Sequence, residues 1–175
     1  IGYVPRPRQA ARATVSFFVN TSGINPAPAT LTLKKGPVAA SSSAFGGQSF
    51  VFSILSDITV PVFNGIAEFN DVEVFEGTLL TQTFTYSARI PNQKFVLPNI
   101  GVDTDLITVS VRPNEASTTE TKYSVQNSLF DVNSDSKVYY LQEIEDERYQ
   151  IFFGDGIFGK PLEDGNFITI NYITS

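Results

Sequence analysis

The clearest arrangement of residues that could do chemistry is a run of glycines, Gly154-x-Gly156-x-x-Gly159. This is the spacing of a dinucleotide-binding loop, whose glycines let the backbone approach a pyrophosphate at a helix N-terminus. Here Lys160-Pro161 follows, no apolar stripe of helical period comes after it, and Asp155 would put a negative charge in the phosphate cradle. We therefore interpret Gly154, Asp155, Gly156 and Gly159 as a structural turn between two strands.

A second candidate site is the acidic run Asp131–Asp135, which resembles the start of a calcium-binding loop. Such a loop needs glycine at its sixth position and a bidentate glutamate at its twelfth. The chain has Ser136 and Gln142 there. The run is therefore better interpreted as a turn rich in Asp and Asn, whose side chains bond to the backbone nearby.

A third candidate is the carboxylate cluster Glu143, Glu145, Asp146 and Glu147. Two carboxylates can hydrolyse a glycosidic bond without any histidine. This cluster falls at a predicted hairpin tip, where carboxylates are solvated, and tuning their pKa for catalysis needs burial. A carboxylate-based hydrolase is the alternative that the sequence favours least.

The composition removes most other chemistry. The chain has no histidine and no cysteine, so the commonest general base, a cysteine nucleophile and thiolate metal ligands are all missing. The 12 basic residues are scattered among 18 acidic ones, which argues against nucleic acid as a partner. No segment approaches the length of a membrane span. We predict a protein that is not an enzyme, with no catalytic residue, cofactor or metal.

Hydrophobic residues alternate with polar ones along most of the chain, as in Ile107, Val109 and Val111. Period-two alternation of β-branched and aromatic residues is typical of half-buried strands. The sequence predicts an all-β fold, an antiparallel sandwich or barrel-like domain with little helix. Asn64-Gly65 predicts a tight hairpin, Pro61 predicts an edge strand, and Ala39–Gln48 is predicted to be a surface loop.

The C-terminal part predicts a three-stranded meander of Val138–Glu143, Arg148–Phe153 and Phe167–Ile173. We expect residues 1–175 to form one β-rich domain, with a division into sub-sheets 1–112 and 121–175 left open. The chain starts at Ile1 and contains no methionine, so we expect it to be an internal fragment of a longer protein.

Three aromatic doublets suggest surfaces that other proteins bind: Phe17-Phe18, Tyr139-Tyr140 and Phe152-Phe153. Neighbours in a strand point to opposite faces, so both members cannot enter one core. We predict Phe18, Tyr139 and Phe152 as candidate interface residues. The alternative is that another sheet or loop of the same domain covers the outer face.

One stretch is distinctive enough to resemble a known family. It has the form Y-x-x-x-E, then F-G-D-G-x-x-G, then G-x-x-I-x-x-x-Y, and it includes Tyr139–Glu143, Phe153–Gly159 and Gly165–Tyr172. It resembles baseplate wedge proteins of T-even-like contractile-tailed bacteriophages, relatives of the baseplate J-like family. Gly2–Pro5 and Leu33–Gly36 are similar to other segments of that family.

The resemblance implies a structural component of the virion, at the viral tail baseplate, assembled in the host cytoplasm. Its role would be to hold subunits in the ring around the tail tube and to transmit the trigger for contraction. Its partners would be other copies of itself and neighbouring wedge proteins. The alternative function is a carbohydrate- or receptor-binding β-sandwich module.

Overall fold

The computed structural model describes residues 8–42 and 47–175, and it confirms the predicted all-β class. Gly2–Pro5 of the family resemblance lies outside these residues. The strands of the described chain are β1 Arg12–Asn20, β2 Thr30–Leu33, β3 Gly36–Ala40, β4 Val51–Ile54, β5 Ile58–Phe63, β6 Ile66–Glu76, β7 Thr78–Thr85, β8 Phe95–Val96, β9 Thr108–Arg112, β10 Thr121–Val125, β11 Val138–Ile144, β12 Arg148–Phe153 and β13 Phe167–Thr174. The helical segments among the same residues are two 3₁₀ turns, Thr104–Leu106 and Glu145–Glu147.

The chain divides into two compact units, which we call the N-terminal unit (Gln9–Leu79) and the C-terminal unit (Leu80–Thr174). Strands β1–β6 form one sheet and β7–β13 form another, so the sheets divide at Gly77. The possible division into sub-sheets 1–112 and 121–175, which the sequence leaves open, does not match this boundary. The span between residues 112 and 121 is a connection between paired strands, because β10 pairs with β9 and Thr121 lies opposite Val111.

Strand β6 is the centre of the N-terminal sheet. Ala67 pairs with Val19 of β1 and with Val62 of β5, so those two strands lie on opposite edges of β6. Strand β4 joins the β5 edge near the far end of β6, and β2 and β3 extend the sheet from β5 and β4. One face of β6 forms the core with Ile54, through the buried side chains of Ala67, Phe69, Val72 and Val74.

A bulge interrupts the pairing of β1 with β6. The register shifts between Val15 and Phe17, where Asp71 has a φ of 53° and its backbone N–H donates to the Ser16 hydroxyl at 2.9 Å. Beyond the bulge Phe17 stacks on the buried Phe69, with ring centroids 5.0 Å apart. Phe17 therefore lies on the core side of the sheet, although its side chain is 38% exposed and lies at the margin of the core.

The predicted Asn64-Gly65 hairpin is present between β5 and β6. Both residues have positive φ, 49° and 74°, as a tight primed turn requires. The predicted edge position of the Pro61 strand is wrong, because β5 lies between β2 and β6. The N–H of Val62 donates to the Ala29 carbonyl on the β2 side, so the backbone nitrogen of Pro61 is directed toward β6. The pairing of β5 with β6 ends at Val62, one residue before Pro61 is reached. Its missing donor therefore leaves no gap in a ladder.

The C-terminal sheet has the order β7-β13-β9-β10-β11-β12-β8. All of the registered pairs are antiparallel except β10 with β11, which is parallel. The predicted meander is wrong in its last strand. Strands β11 and β12 form a hairpin, but β13 lies between β7 and β9. The long segment after β12 carries the chain across the sheet, and local alternation does not reveal that choice of neighbour.

The C-terminal sheet curls into a barrel-like shape. Phe84 of β7 and Phe95 of β8 belong to strands at opposite ends of the order, yet their ring centroids are 5.4 Å apart. Side chains from most of its strands fill the enclosed core, including Val109, Ile151 and Tyr172. The predicted inward residues Ile107, Val109 and Val111 are all buried.

In the N-terminal unit, Ala39 and Ala40 belong to β3, so that part of the predicted Ala39–Gln48 loop is a strand. Residues 43–46 of the same predicted loop lie outside the described chain.

Candidate interaction surface and the glycine turn

The predicted structural turn at Gly154, Gly156 and Gly159 is present, and each glycine is needed for a different reason. A Cβ on Gly154 would lie 2.0 Å from the carbonyl carbon of Gly159, so this position has no room for a side chain. Gly156 has a φ of 91° and open space around it, so it is needed for its conformation. Gly159 combines a φ of 109° with a contact of 2.9 Å between a built Cβ and Cγ2 of Val138.

The side chain of Asp155 stabilises this turn by accepting hydrogen bonds from its backbone. Its Oδ1 accepts the backbone N–H of Ile157 at 2.9 Å and that of Phe158 at 2.8 Å. These hydrogen bonds, the one from Phe158 first, hold the pKa of the Asp155 carboxyl below its ordinary value. The turn thus uses two of its own amides to bind its own carboxylate, which supports the structural interpretation.

The glycine turn is tied to the turn rich in Asp and Asn that the sequence predicts at Asp131–Asp135. Asn133 Oδ1 accepts the N–H of Asp135 at 2.9 Å, while the Asn133 carbonyl accepts the N–H of Gly159 at 2.9 Å. Tyr140 donates its hydroxyl to the Phe158 carbonyl at 3.0 Å. Among the described residues, no group of three or more potential ligands is arranged to hold a metal ion.

The acidic cluster lies at the tip of the β11–β12 hairpin, as the sequence predicts. Glu143, Glu145, Asp146 and Glu147 are all exposed, and the last three form a 3₁₀ turn. A loose ion pair of 3.8 Å joins Asp146 to Arg148. Among the residues that the structure describes, none buries these carboxylates in the way that a general acid requires.

Of the three candidate interface residues, Phe18 and Phe152 point outward and Tyr139 does not. Phe18 is 69% exposed and Phe152 is 37% exposed, but they belong to different units. Tyr139 is only 3% exposed and lies in the core, so its prediction as an interface residue is wrong. The register explains this, because Tyr139 lies opposite the inward Phe153, while Tyr140 lies opposite Phe152.

Phe18 is one of several apolar residues on one side of the N-terminal sheet. Phe18 lies opposite Glu68, and Phe63 lies opposite Ile66, two residues along the same face of β6. Phe63 is 77% exposed, even more than Phe18. A shallow pocket of about 340 Å³ is lined by Phe63, Ile66 and Glu68 together with Pro61. We call Phe18, Pro61, Phe63, Ile66 and Glu68 the outer aromatic face.

The two ends of this side of the sheet differ in how far their aromatic side chains are exposed. Toward the end of β6, the guanidinium of Arg12 lies 5.2 Å from the ring centroid of Phe75 and 3.7 Å from a Glu73 carboxylate oxygen. Phe75 is only 4% exposed. The outer aromatic face, at the start of β6, therefore remains exposed in the described chain, with Glu68 at its centre.

Phe63 was missed as an interface candidate, although its direction follows from the sequence. Ile58, Val60 and Val62 pack against the core, and alternation then directs Phe63 outward. The prediction from aromatic doublets does not include Phe63, because Phe63 has no aromatic neighbour in sequence. Strand alternation up to the Asn64-Gly65 turn is the signal that identifies it.

In the part of the chain that the structure describes, no helix has the length and apolar character needed to cross a membrane. No protein-family model matches the chain, and no curated protein matches it.

Proposed function

We propose that the chain is a structural module of a phage tail baseplate wedge, which binds other subunits and has no catalytic role. The observation that carries this proposal is the outer aromatic face, since a cluster of exposed large apolar side chains usually marks a protein interface. The family resemblance supplies the kind of assembly, a ring around the tail tube whose subunits transmit the contraction trigger.

The residues of the family-like motif support a scaffold role through their contacts. Tyr139, the first residue of the motif, is 3% exposed and lies in the core, and Gly159 packs close to Val138. Tyr172 is 1% exposed and donates its hydroxyl to Asn99 Oδ1 at 2.6 Å. These residues pack and bond within the C-terminal unit, so their contacts support a structural role for the motif.

The outer aromatic face also indicates what its partner should look like. Apolar side chains would cover Phe18 and Phe63, and a lysine or arginine would pair with Glu68 so that its charge is not buried alone. Other copies of the chain and neighbouring wedge proteins are the proposed partners. The proposed location is the tail baseplate of the virion, assembled in the host cytoplasm.

Immuno-electron microscopy tests the location. An antibody raised against the chain should label the baseplate end of the tails in purified virions. Labelling of capsids, or of nothing in particles whose baseplates are intact, would contradict the proposal.

A pair of substitutions tests the surface. Phe18→Ser with Phe63→Ser should abolish co-purification with the wedge subunits while the unfolding midpoint stays nearly unchanged, because both rings are exposed. Phe130→Ser is the matched control, since Phe130 is 83% exposed and lies in the C-terminal unit. Undiminished co-purification of the double variant, or equal loss in the control, would count against this surface.

A further inference from the structure

The C-terminal unit contains a groove that the proposed assembly role does not use. Its volume is about 440 Å³, and it lies among the end of β12, the first residues of the glycine turn and the segment that follows β7. The residues that matter most for its chemistry are Tyr86, Asn92, Phe95, Phe152, Phe153 and Asp155. A volume of this size is typical of small-molecule sites.

Hydrogen bonds hold the walls of the groove in place. The Gln93 side chain accepts the N–H of Ser87 at 3.0 Å and donates to the Thr85 carbonyl at 2.9 Å. Asp164 accepts the N–H of Ala88 at 2.9 Å and so fixes the same segment. With its walls fixed in this way, the groove is formed before any ligand arrives.

Four of the residues that line the groove are aromatic, namely Tyr86, Phe95, Phe152 and Phe153. Phe95 and Phe153 pack edge to face with ring centroids 5.6 Å apart, and Phe95 is only 5% exposed, whereas Tyr86 is half-buried and Phe152 is 37% exposed, so a ligand can reach these last two rings. The faces of aromatic rings carry negative electrostatic potential and attract cations. A cation above such rings is bound most strongly when it is partly desolvated.

The charge of the lining has one sign. Asp155 is the single charged side chain among the described residues that line the groove. Both hydrogen bonds from the turn end on its Oδ1 atom. A carboxylate has more acceptor capacity than these two bonds use. An anion would be repelled here by the Asp155 carboxylate, whereas a cation would be attracted.

We propose that this groove binds an organic cation, an alkylammonium or guanidinium group, whose charge pairs with Asp155 and whose apolar surface lies against Phe152 and Tyr86. Such a group satisfies the carboxylate and the aromatic lining together. This inference is independent of the proposed assembly role, because it concerns residues of the C-terminal unit alone.

Calorimetric and NMR titrations of the 175-residue chain test this proposal. The probes are choline and Nα-acetyl-arginine amide, each beside a neutral analogue of similar shape, 3,3-dimethylbutan-1-ol and Nα-acetyl-citrulline amide. At least one cation should bind about tenfold more tightly than its neutral analogue, the size expected for a cation held by rings and a carboxylate. The better cation identifies the ligand as a quaternary ammonium compound or an arginine side chain.

Variants locate the binding. Asp155→Asn keeps an Oδ1 acceptor for the turn but removes the charge, and Phe152→Leu removes one ring; each should reduce the preference for the cation several-fold. Glu145→Gln removes a carboxylate outside the groove and should leave the preference unchanged. The proposal is overturned if neither cation is preferred to its neutral analogue, if both groove variants keep the full preference, or if Glu145→Gln loses it.

Discussion

Replacing each glycine of the turn by alanine separates the reasons for which the three glycines are there. Gly156→Ala places a Cβ in open space on a backbone with a φ of 91°. Gly159→Ala adds a 2.9 Å contact with Val138 to a φ of 109°. Gly154→Ala has no positive φ to accommodate, but its Cβ would lie 2.0 Å from a backbone carbonyl carbon.

The structure ranks the three costs. Gly156→Ala should destabilise the C-terminal unit by about 1 kcal/mol, because left-handed strain of about 1–2 kcal/mol is partly offset by lower entropy of the unfolded chain. Gly159→Ala should cost about 2–3 kcal/mol, since the buried Val138 is stiff at χ1 and cannot rotate away cheaply. Gly154→Ala should cost more than about 3 kcal/mol, because only backbone movement can relieve the overlap.

That movement would break specific contacts. The N–H of Gly156 donates to the Gly159 carbonyl at 3.0 Å, and the N–H of Lys160 donates to the Ser136 carbonyl at 2.8 Å. Losing such buried or partly buried bonds adds about 1 kcal/mol each. A stability of 5–15 kcal/mol, roughly that of an ordinary domain, would leave the Gly154 variant folded but strongly weakened.

Urea unfolding followed by tyrosine fluorescence measures these differences. Six of the seven tyrosines lie in Leu80–Thr174, so the signal reports mainly on the C-terminal unit. Gly165→Ala is the matched control, because Gly165 has a φ of 86° and open space at its Cβ. It should behave like Gly156→Ala. A Gly154 variant as stable as the Gly156 variant would refute the steric reasoning.

Two further predictions concern the same unit. Burial raises the pKa of Tyr139 to about 12, above its value of about 10 in the unfolded chain. The stability that the neutral hydroxyl contributes is therefore complete below about pH 10 and is lost as the pH rises toward about 12. Across that range the midpoint of urea unfolding should fall less steeply for Tyr139→Phe than for the unchanged chain. The guanidinium of Arg112 lies 4.6 Å from the centroid of the Phe167 ring and donates to the Ser117 carbonyl at 3.1 Å. Arg112→Gln should therefore lower the free energy of unfolding by about 1 kcal/mol. An equal loss from Arg89→Gln, at an exposed position, would show that only net charge matters.

Local features of the fold were predictable because they depend on neighbouring residues. The alternation of Ile107, Val109 and Val111 requires only that one face of a strand be buried. Asn64-Gly65 specifies its turn through two backbone conformations that few other residues adopt. The glycine turn was recognised for a similar reason, since Lys160-Pro161 does not continue as a helix.

Features that depend on distant pairing were not predictable in the same way. Thr121–Val125 forms β10 despite its polar, partly exposed side chains, because β9 and β11 lie on either side of it. The outward direction of Tyr140, and hence the burial of Tyr139, depends on its register with β12. The groove beside Asp155 is made by segments far apart in sequence, and no local pattern brings Tyr86 to Phe152.

The position of β13 has a consequence for how the chain reaches this fold. During synthesis β7 and β9 leave the ribosome well before β13, the strand that must lie between them. Until it arrives, both present unpaired backbone edges that can associate with other nascent chains. Pairing across so long a stretch of sequence is also slow. Yield on expression should therefore depend on temperature and on chaperones more than the stability of the finished sheet would suggest.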